Sequence, residues 1–247
     1  MIDELLLKPG ERYDDLERSN LHIIQDPKRF CFGMDAVLLS GFIKAPGGAR
    51  VLDMCTGTGI IPLLLSAKTE ASEIIGTEIQ PESADMASRS VKANALEEKI
   101  KIINADIKDS VRMFGKGSFD VVSVNPPYMP AGRGLANPGD EKAIARHEIL
   151  CTLADVCSQA AAVLKDGGHF FMVHRPGRIA DIFEELRKNR LEAKRMKFVQ
   201  PEAGKKPNMV LIDAVKGGGR ELIVEEPIIV FKEPGVYSDE IREIYGY

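Results

Sequence analysis

A chain of 247 residues with 44% apolar and 28% charged residues has the make-up of an ordinary globular protein, long enough for one α/β domain with a small appendage. Its formal net charge of −4 excludes a global basic signature for nucleic acid, so any surface for a polyanion must be local. The acidic start Met1-Ile2-Asp3-Glu4-Leu5-Leu6-Leu7 lacks a signal peptide's basic-then-apolar pattern, and no apolar run reaches membrane-spanning length; a cytoplasmic protein with no membrane partner is expected. Cys31, Cys55, Cys151 and Cys157 show no Cys-x-x-Cys pair and no histidine at ligand spacing, so they read as reduced and no metal is expected.

The chain alternates strand and helix patterns from residue 49 onwards. Residues 1–32 mix charge with short apolar pieces and end on the basic, aromatic Lys28-Arg29-Phe30-Cys31-Phe32. Asp35 can cap a helix over Ala36 to Ile43, and Pro46-Gly47-Gly48 forces a turn. Strands follow at Ala49 to Met54, Glu73 to Ile79, Lys99 to Ala105 and Ser118 to Val124, with helices at Ile60 to Ala67 and Pro81 to Leu96 between them. In the second helix Ala84, Ala87, Val91 and Ala95 form an inward stripe, and Pro81 suits its first turn. A Gly- and Pro-rich loop spans 129–144. A long helix is expected from about Ala145 to Leu164, closed by Asp166-Gly167-Gly168. Strand His169 to Val173 and helix Ile179 to Lys188 come next, then strand-like runs at Ala193 to Val199, Asn208 to Lys216 and Ile223 to Phe231. Such alternation predicts an α/β fold: a Rossmann-like, mostly parallel seven-stranded sheet with helices on both faces and an antiparallel C-terminal strand. No domain boundary announces itself. The expected organisation is one domain over 1–247, with 1–48 an extension packing on a core of 49–247.

Polar residues gather where the strands end. Asp53-Met54-Cys55-Thr56-Gly57-Thr58-Gly59 joins the first strand to a helix, and Gly57 and Gly59 let the backbone turn tightly beside a ligand. Glu78 ends the second strand, at the place where a carboxylate accepts from ribose hydroxyls, and Asp106 ends the third, placed to accept from an adenine amino group. Three carboxylates at successive strand ends suit a nucleoside that bears positive charge and no phosphates. A dinucleotide site fits less well, because the third glycine of G-x-G-x-x-G is missing. The fourth strand runs into Asn125-Pro126-Pro127-Tyr128. Neither proline has an N–H and each fixes φ, so the backbone leaves the sheet stiffly, with an amide, free carbonyls and an aromatic ring at a strand's carboxyl end.

These motifs resemble a class I S-adenosylmethionine-dependent methyltransferase of the Asn-Pro-Pro-Tyr type. More narrowly, Arg29 to Leu39, Ala145-Arg146-His147-Glu148, Lys206 to Val210 and Lys216-Gly217-Gly218 resemble the bacterial tRNA1(Val) adenine-37 N6-methyltransferase family, over roughly residues 10–240. The resemblance implies S-adenosyl-L-methionine as cofactor, held by Asp53, Gly57, Gly59, Glu78 and Asp106, and tRNA as partner. An exocyclic amino nitrogen is a poor nucleophile because its lone pair is delocalised into the ring. Two acceptors, the Asn125 side-chain oxygen and the Pro126 carbonyl, can hold its hydrogens and free the lone pair, while Tyr128 stacks on the target base. Asn125, Pro126 and Tyr128 are therefore the expected catalytic residues. Pro127, Arg29, Phe30, Arg133 and Arg146 are the expected substrate contacts, and loop 129–144 is expected to be poorly ordered until substrate binds. A basic stretch from Arg187 to Lys197, with Lys205 and Lys206, could follow a phosphate backbone. Alternatives are N5-methylation of a glutamine in a protein, guanine-N2 methylation in RNA, and a catalytically silent RNA-binding protein.

Overall fold

A computed structural model describes residues 6–126, 128 and 151–246. Largely apolar runs make its parallel strands, as expected where a sheet is covered on both faces. These are β3 (Arg50–Met54), β4 (Glu73–Glu78), β5 (Ile100–Asn104), β6 (Phe119–Val124) and β7 (Leu164–His174), all mutually parallel. Successive side chains of a strand face opposite sides, and the core divides accordingly. Val51, Val121 and Phe171 pack with helices α1 (Met34–Phe42) and α2 (Ile60–Lys68). Leu52, Val122 and Phe170 pack on the other face with α5 (Leu153–Val163) and α6 (Ile179–Lys188).

Among the described residues the sheet order is β11-β10-β8-β9-β7-β6-β3-β4-β5, nine strands where the sequence predicts seven. Strands β8 (Leu191–Glu202) and β9 (Met209–Lys216) form a long hairpin in which β9 is antiparallel to both β7 and β8. Beyond it β10 (Ile223–Glu233) runs parallel to β8, and the two-residue β11 (Val236–Tyr237) closes the edge before α7 (Asp239–Tyr245). Two antiparallel members result, β9 inside the sheet and β11 at its C-terminal edge, and the extra strands extend that side. Strand order reverses between β3 and β6: the chain leaves β3 for β4 and β5 on one side and returns to β6 on the other. Open α/β sheets bind ligands at such a switch point, outside the carboxyl ends of the strands.

Two details depart from the sequence pattern. Helix α5 starts at a capping box, Thr152 Oγ1 accepting from Asp155 N at 3.1 Å while Asp155 Oδ2 accepts from Thr152 N at 2.9 Å. Its proposed first turns, 145–150, lie outside the described residues, and it ends at Val163. Asp166-Gly167-Gly168 is not its C-terminus but part of β7. Gly167 has φ +78°, and a Cβ on Gly168 would sit 2.9 Å from the Lys165 carbonyl and 3.1 Å from that of Asp120. These glycines are needed where β7 presses on the start of β6, not where a helix stops.

The N-terminal segment forms a hairpin too short to be read from its pattern, β1 (Arg12–Asp15) with β2 (His22–Gln25). It is bonded to α3 (Pro81–Ala93) and the residue after it: His22 N donates to Asn94 Oδ1 at 2.9 Å and Ile24 N to Ser90 Oγ at 2.8 Å. Arg89 of α3 clamps Glu11 at 2.6 and 2.7 Å and Asp85 at 2.7 Å. The hairpin therefore leads Arg29 to Asp35 across the carboxyl side of the sheet. A short helix α4 (Ser110–Phe114) links β5 to β6. Among the described residues no helix is long and apolar enough to cross a membrane, and no cluster of three potential metal ligands occurs.

Candidate active site

The turn after β3 is left-handed at three places: Cys55 (φ +56°), Gly57 (φ +59°) and Gly59 (φ +87°), the last capping α2. Gly59 is also a close approach, since a Cβ there would meet the Cβ of Ala87 on α3 at 3.1 Å. Asp53 sits beneath this turn, fully buried. Its Oδ2 accepts from Thr56 Oγ1 and its Oδ1 from Ser123 Oγ of β6, both at 2.6 Å. Burial pushes its carboxyl up to about 7 against the pull of those two bonds. Asp53 therefore does not line the cleft. It braces the glycine turn to β6, two residues before Asn125.

Glu78 does line the cleft. Its Oε2 accepts from Gly57 N and its Oε1 from Gln80 N, each at 2.9 Å. Burial raises its pKa, opposed by these backbone bonds. Asp106 caps the short turn after β5 through Lys108 N at 2.9 Å and pairs with the Lys108 ammonium at 3.3 Å. It borders a side pocket of about 250 Å³ walled by Ile79, Ile107, Cys55 and Cys151. The main cleft of about 820 Å³ shares Glu78 and both cysteines with that pocket, and its far walls are Phe30, Phe32 and Asn125.

At the end of β6, Asn125 is half-buried and faces this cleft, and Pro126 is buried. Tyr128 turns its hydroxyl back to two oxygens, Asp35 Oδ2 at 2.7 Å and the Asn125 side-chain amide. Its ring meets His174 edge-on at 5.2 Å, and the Arg175 guanidinium lies 5.0 Å from its centre. Burial, then the charge of Asp35, drives Tyr128 ionisation well above the usual phenol range. Burial, reinforced by Arg178, pushes His174 down to about 4.

Several expected residues are brought together here: Glu78, Gly57, Phe30 and Asn125 meet at one cleft, with Asp106 at its side pocket. Arg29 stands beside it, paired with Asp26 at 3.6 Å and Glu82 at 3.8 Å. Pro127, Arg133, Arg146 and loop 129–144 lie outside the described residues. Sequence reasoning missed Asp35 as more than a helix residue, and it missed the meeting of Cys55 with Cys151, whose sulfurs are 4.0 Å apart across 96 positions. Their separation in sequence left no local signal.

The basic stretch is mostly consumed within the fold. Lys188 pairs with Glu184 and Glu185 at 2.8 Å, Arg195 with Glu225 at 2.6 Å and Lys197 with Glu240 at 2.6 Å. Lys205 and Lys206 differ. They are exposed on the β8–β9 turn and pair with no carboxylate among the described residues. Strand β8 is parallel to β10 and opposite to β9, so this turn stands at the same end of the sheet as Asn125 and Tyr128. Arg175 Nη1 joins the two by donating to the Asn208 carbonyl at 3.0 Å.

A switch-point cleft with a glycine turn, a carboxylate after the second parallel strand and an amide after the fourth defines a Rossmann-like methyltransferase. The chain belongs to the methyltransferase small domain family, whose model matches residues 33–199. It is an S-adenosyl-L-methionine-dependent enzyme. The donor set suits that molecule: Glu78 offers acceptors to hydroxyls, a Cβ on Gly57 would meet nothing within 4 Å, and among the described residues no cationic side chain lines the cleft. Its relatives include tRNA1(Val) (adenine(37)-N6)-methyltransferases from Aeromonas salmonicida, 27% identical over 90% of this chain and 92% of that one, and from Porphyromonas gingivalis, 29% identical over 72% of each. One from Escherichia coli O157:H7 is 33% identical over 62% of each chain. Among solved structures, a predicted O-methyltransferase from Agrobacterium tumefaciens has a TM-score of 0.70 at 22% identity, covering 86% of this chain and 95% of that one. The ribosomal protein L11 methylase of Lactobacillus delbrueckii has 0.55 at 18% identity, over 78% and 84%. At those identities the two structures speak for the fold alone.

Proposed function

We propose that this protein is a cytoplasmic, single-domain enzyme that methylates N6 of an adenine in tRNA, at position 37 of tRNA1(Val) as its relatives' names state. The observation that carries this reading is Asn125 at the end of β6, opening on the same cleft as Glu78 and Gly57. The exposed Lys205 and Lys206, at the same end of the sheet, supply cations for a phosphate backbone.

S-adenosyl-L-methionine, when bound, supplies an electrophilic methyl on a sulfonium. Glu78 accepts from ribose hydroxyls, the Gly57–Gly59 turn lets the backbone approach the ligand, and the Ile79–Ile107 side pocket with Asp106 takes the adenine ring. Asp53 contributes by holding that turn in place. On the acceptor side, the Asn125 amide oxygen and the Pro126 carbonyl accept the two hydrogens of the target amino group, and Tyr128 seats the extruded base. No strong base is needed, because an alkylated amino nitrogen is acidic enough to lose its proton to water. Positioning and fixed dipoles carry the rate. The test is transfer of tritiated methyl from S-adenosyl-L-methionine into total tRNA, followed by nucleoside analysis. Label in N6-methyladenosine is expected; label only in protein would overturn the tRNA reading.

A further inference from the structure

The Tyr128 hydroxyl lies within hydrogen-bond reach of two oxygens at once, Asp35 Oδ2 at 2.7 Å and Asn125 Oδ1. A phenol carries one hydrogen, while a carboxylate and an amide oxygen only accept. One hydrogen cannot serve both. The carboxylate forms the stronger, charge-assisted bond, so the hydrogen goes to Asp35. The phenol oxygen is then an acceptor facing Asn125, and the amide is satisfied only with its NH2 on that side. A half-turn of the amide exchanges its nitrogen and oxygen in place and moves nothing else. That half-turn leaves the amide oxygen for the cleft that Asn125 lines.

We infer that Asp35 is a positioning residue for methyl transfer: acting through Tyr128, it fixes the Asn125 amide with its oxygen toward the acceptor and its NH2 toward the phenol. The inference rests on the acceptor role proposed for Asn125. The surroundings hold Asp35 and Tyr128 in this relation. Asp35 Oδ1 accepts from Ala36 N at 3.0 Å, and a Cβ on residue 33 would sit 2.8 Å from that oxygen, so Gly33 makes room for the carboxylate. The Tyr128 ring is flanked by His174 and Arg175. Without the carboxylate the phenol hydrogen is free to go to Asn125, which turns the amide oxygen to Tyr128 and presents the NH2 to the substrate. A donor facing the target amino group cannot hold its hydrogens, so turnover falls while the donor pocket is untouched.

The test is a double-mutant cycle in kcat with Asp35→Asn, Tyr128→Phe and the double variant, with KM, donor affinity by calorimetry and Tm measured alongside. Asp35→Asn should lower kcat roughly 10- to 100-fold, the range set by losing one hydrogen bond to a charged group, with donor affinity changed less than about twofold. The double variant should be no slower than the slower single one, because Asp35 acts only through the phenol. Asp35→Glu, which keeps the carboxylate, should recover part of the loss and separates this role from a fold defect. An Asp35→Asn enzyme with wild-type kcat, or a double variant whose losses multiply, would overturn the inference. The cycle is run on whichever acceptor the wild type labels, so protein labelling in place of RNA would sink the tRNA reading and leave the Asp35 result legible.

Discussion

Asp53 and His174 are buried within one site and titrate in opposite senses, which makes a pH experiment informative. Asp53 moves from an ordinary 3.8 to about 7 on folding, and His174 from 6.5 to about 4. Between about pH 5 and 6.5 the folded state holds a proton on Asp53 that the unfolded chain has lost, so raising pH weakens the fold by about 1.4 kcal/mol per unit. In the same window the unfolded chain holds a proton on His174 that the folded state lacks, so raising pH strengthens the fold by a similar slope. The two oppose each other, so the wild type should be far flatter than either variant, with the raised carboxyl of Glu78 adding a slope of the Asp53 sign to all three proteins. Each variant exposes the other group. Relative to the wild type, Asp53→Asn should lose about 1.5 to 2 kcal/mol on acidification from 6.5 to 5, and His174→Gln should gain a similar amount. The lowered carboxyls of Glu11, Glu73, Asp85, Asp120 and Glu225 act below this window, and Lys68, pushed down to about 7 by burial, acts above it. Urea unfolding at four pH values gives the slopes, which do not depend on any fixed cost of the substitutions. Variants that keep the wild-type profile would refute the assignment of both buried groups.

Other outcomes are as definite. Asn125→Ala should abolish turnover and leave donor affinity nearly unchanged in calorimetry; equal loss of both would place the amide in the donor half of the site. Gly76→Ala should lower donor affinity at least tenfold with the substitution itself outside the cleft, because its Cβ would lie 2.9 Å from Ile102 Cδ1 and 3.0 Å from the Thr56 side chain that bonds Asp53. Replacing Lys205 and Lys206 by alanine should weaken tRNA binding and reduce the slope of log affinity against log salt by about 1 to 2, with turnover at saturating tRNA preserved. Arg89→Met should cost about 2 kcal/mol in urea unfolding, since it breaks the charged bonds that tie Glu11 and Asp85 to α3.

The strand–helix alternation and the strand-end carboxylates were legible because each is a local pattern: an apolar run, then a polar residue or glycine at its carboxyl end. Glu78 and Asn125 meet at the cleft for that reason. The sheet's far edge was less legible. Ile223 to Phe231 reads as a strand, yet nothing in it says that it pairs in parallel with β8 beyond an antiparallel hairpin. Asp166-Gly167-Gly168 looks like a helix stop and is a crowded crossing of β7 on β6, a distinction set by tertiary contact alone. Asp53 stands out in the sequence as a strand-end carboxylate, but its partner Ser123 is 70 positions away, so its place beneath the turn leaves no local signal. The same holds for Asp35, 93 positions from the phenol it holds. Charge counted along Arg187 to Lys197 overstated the basic surface, because the neutralising glutamates come from the same helix and from β10 and α7.

The Asp53 brace has a consequence for how the enzyme could change over time. One side chain ties the glycine turn to β6, and Asn125 follows two residues along the same strand. The gap between methyl source and methyl destination is therefore built when the sheet forms, before either molecule arrives. Loops around the rim can then be exchanged, lengthened or recharged to admit a different target without disturbing that gap. Substrate range and reaction geometry are separately inherited, the first on the rim and the second in the seam between two neighbouring strands.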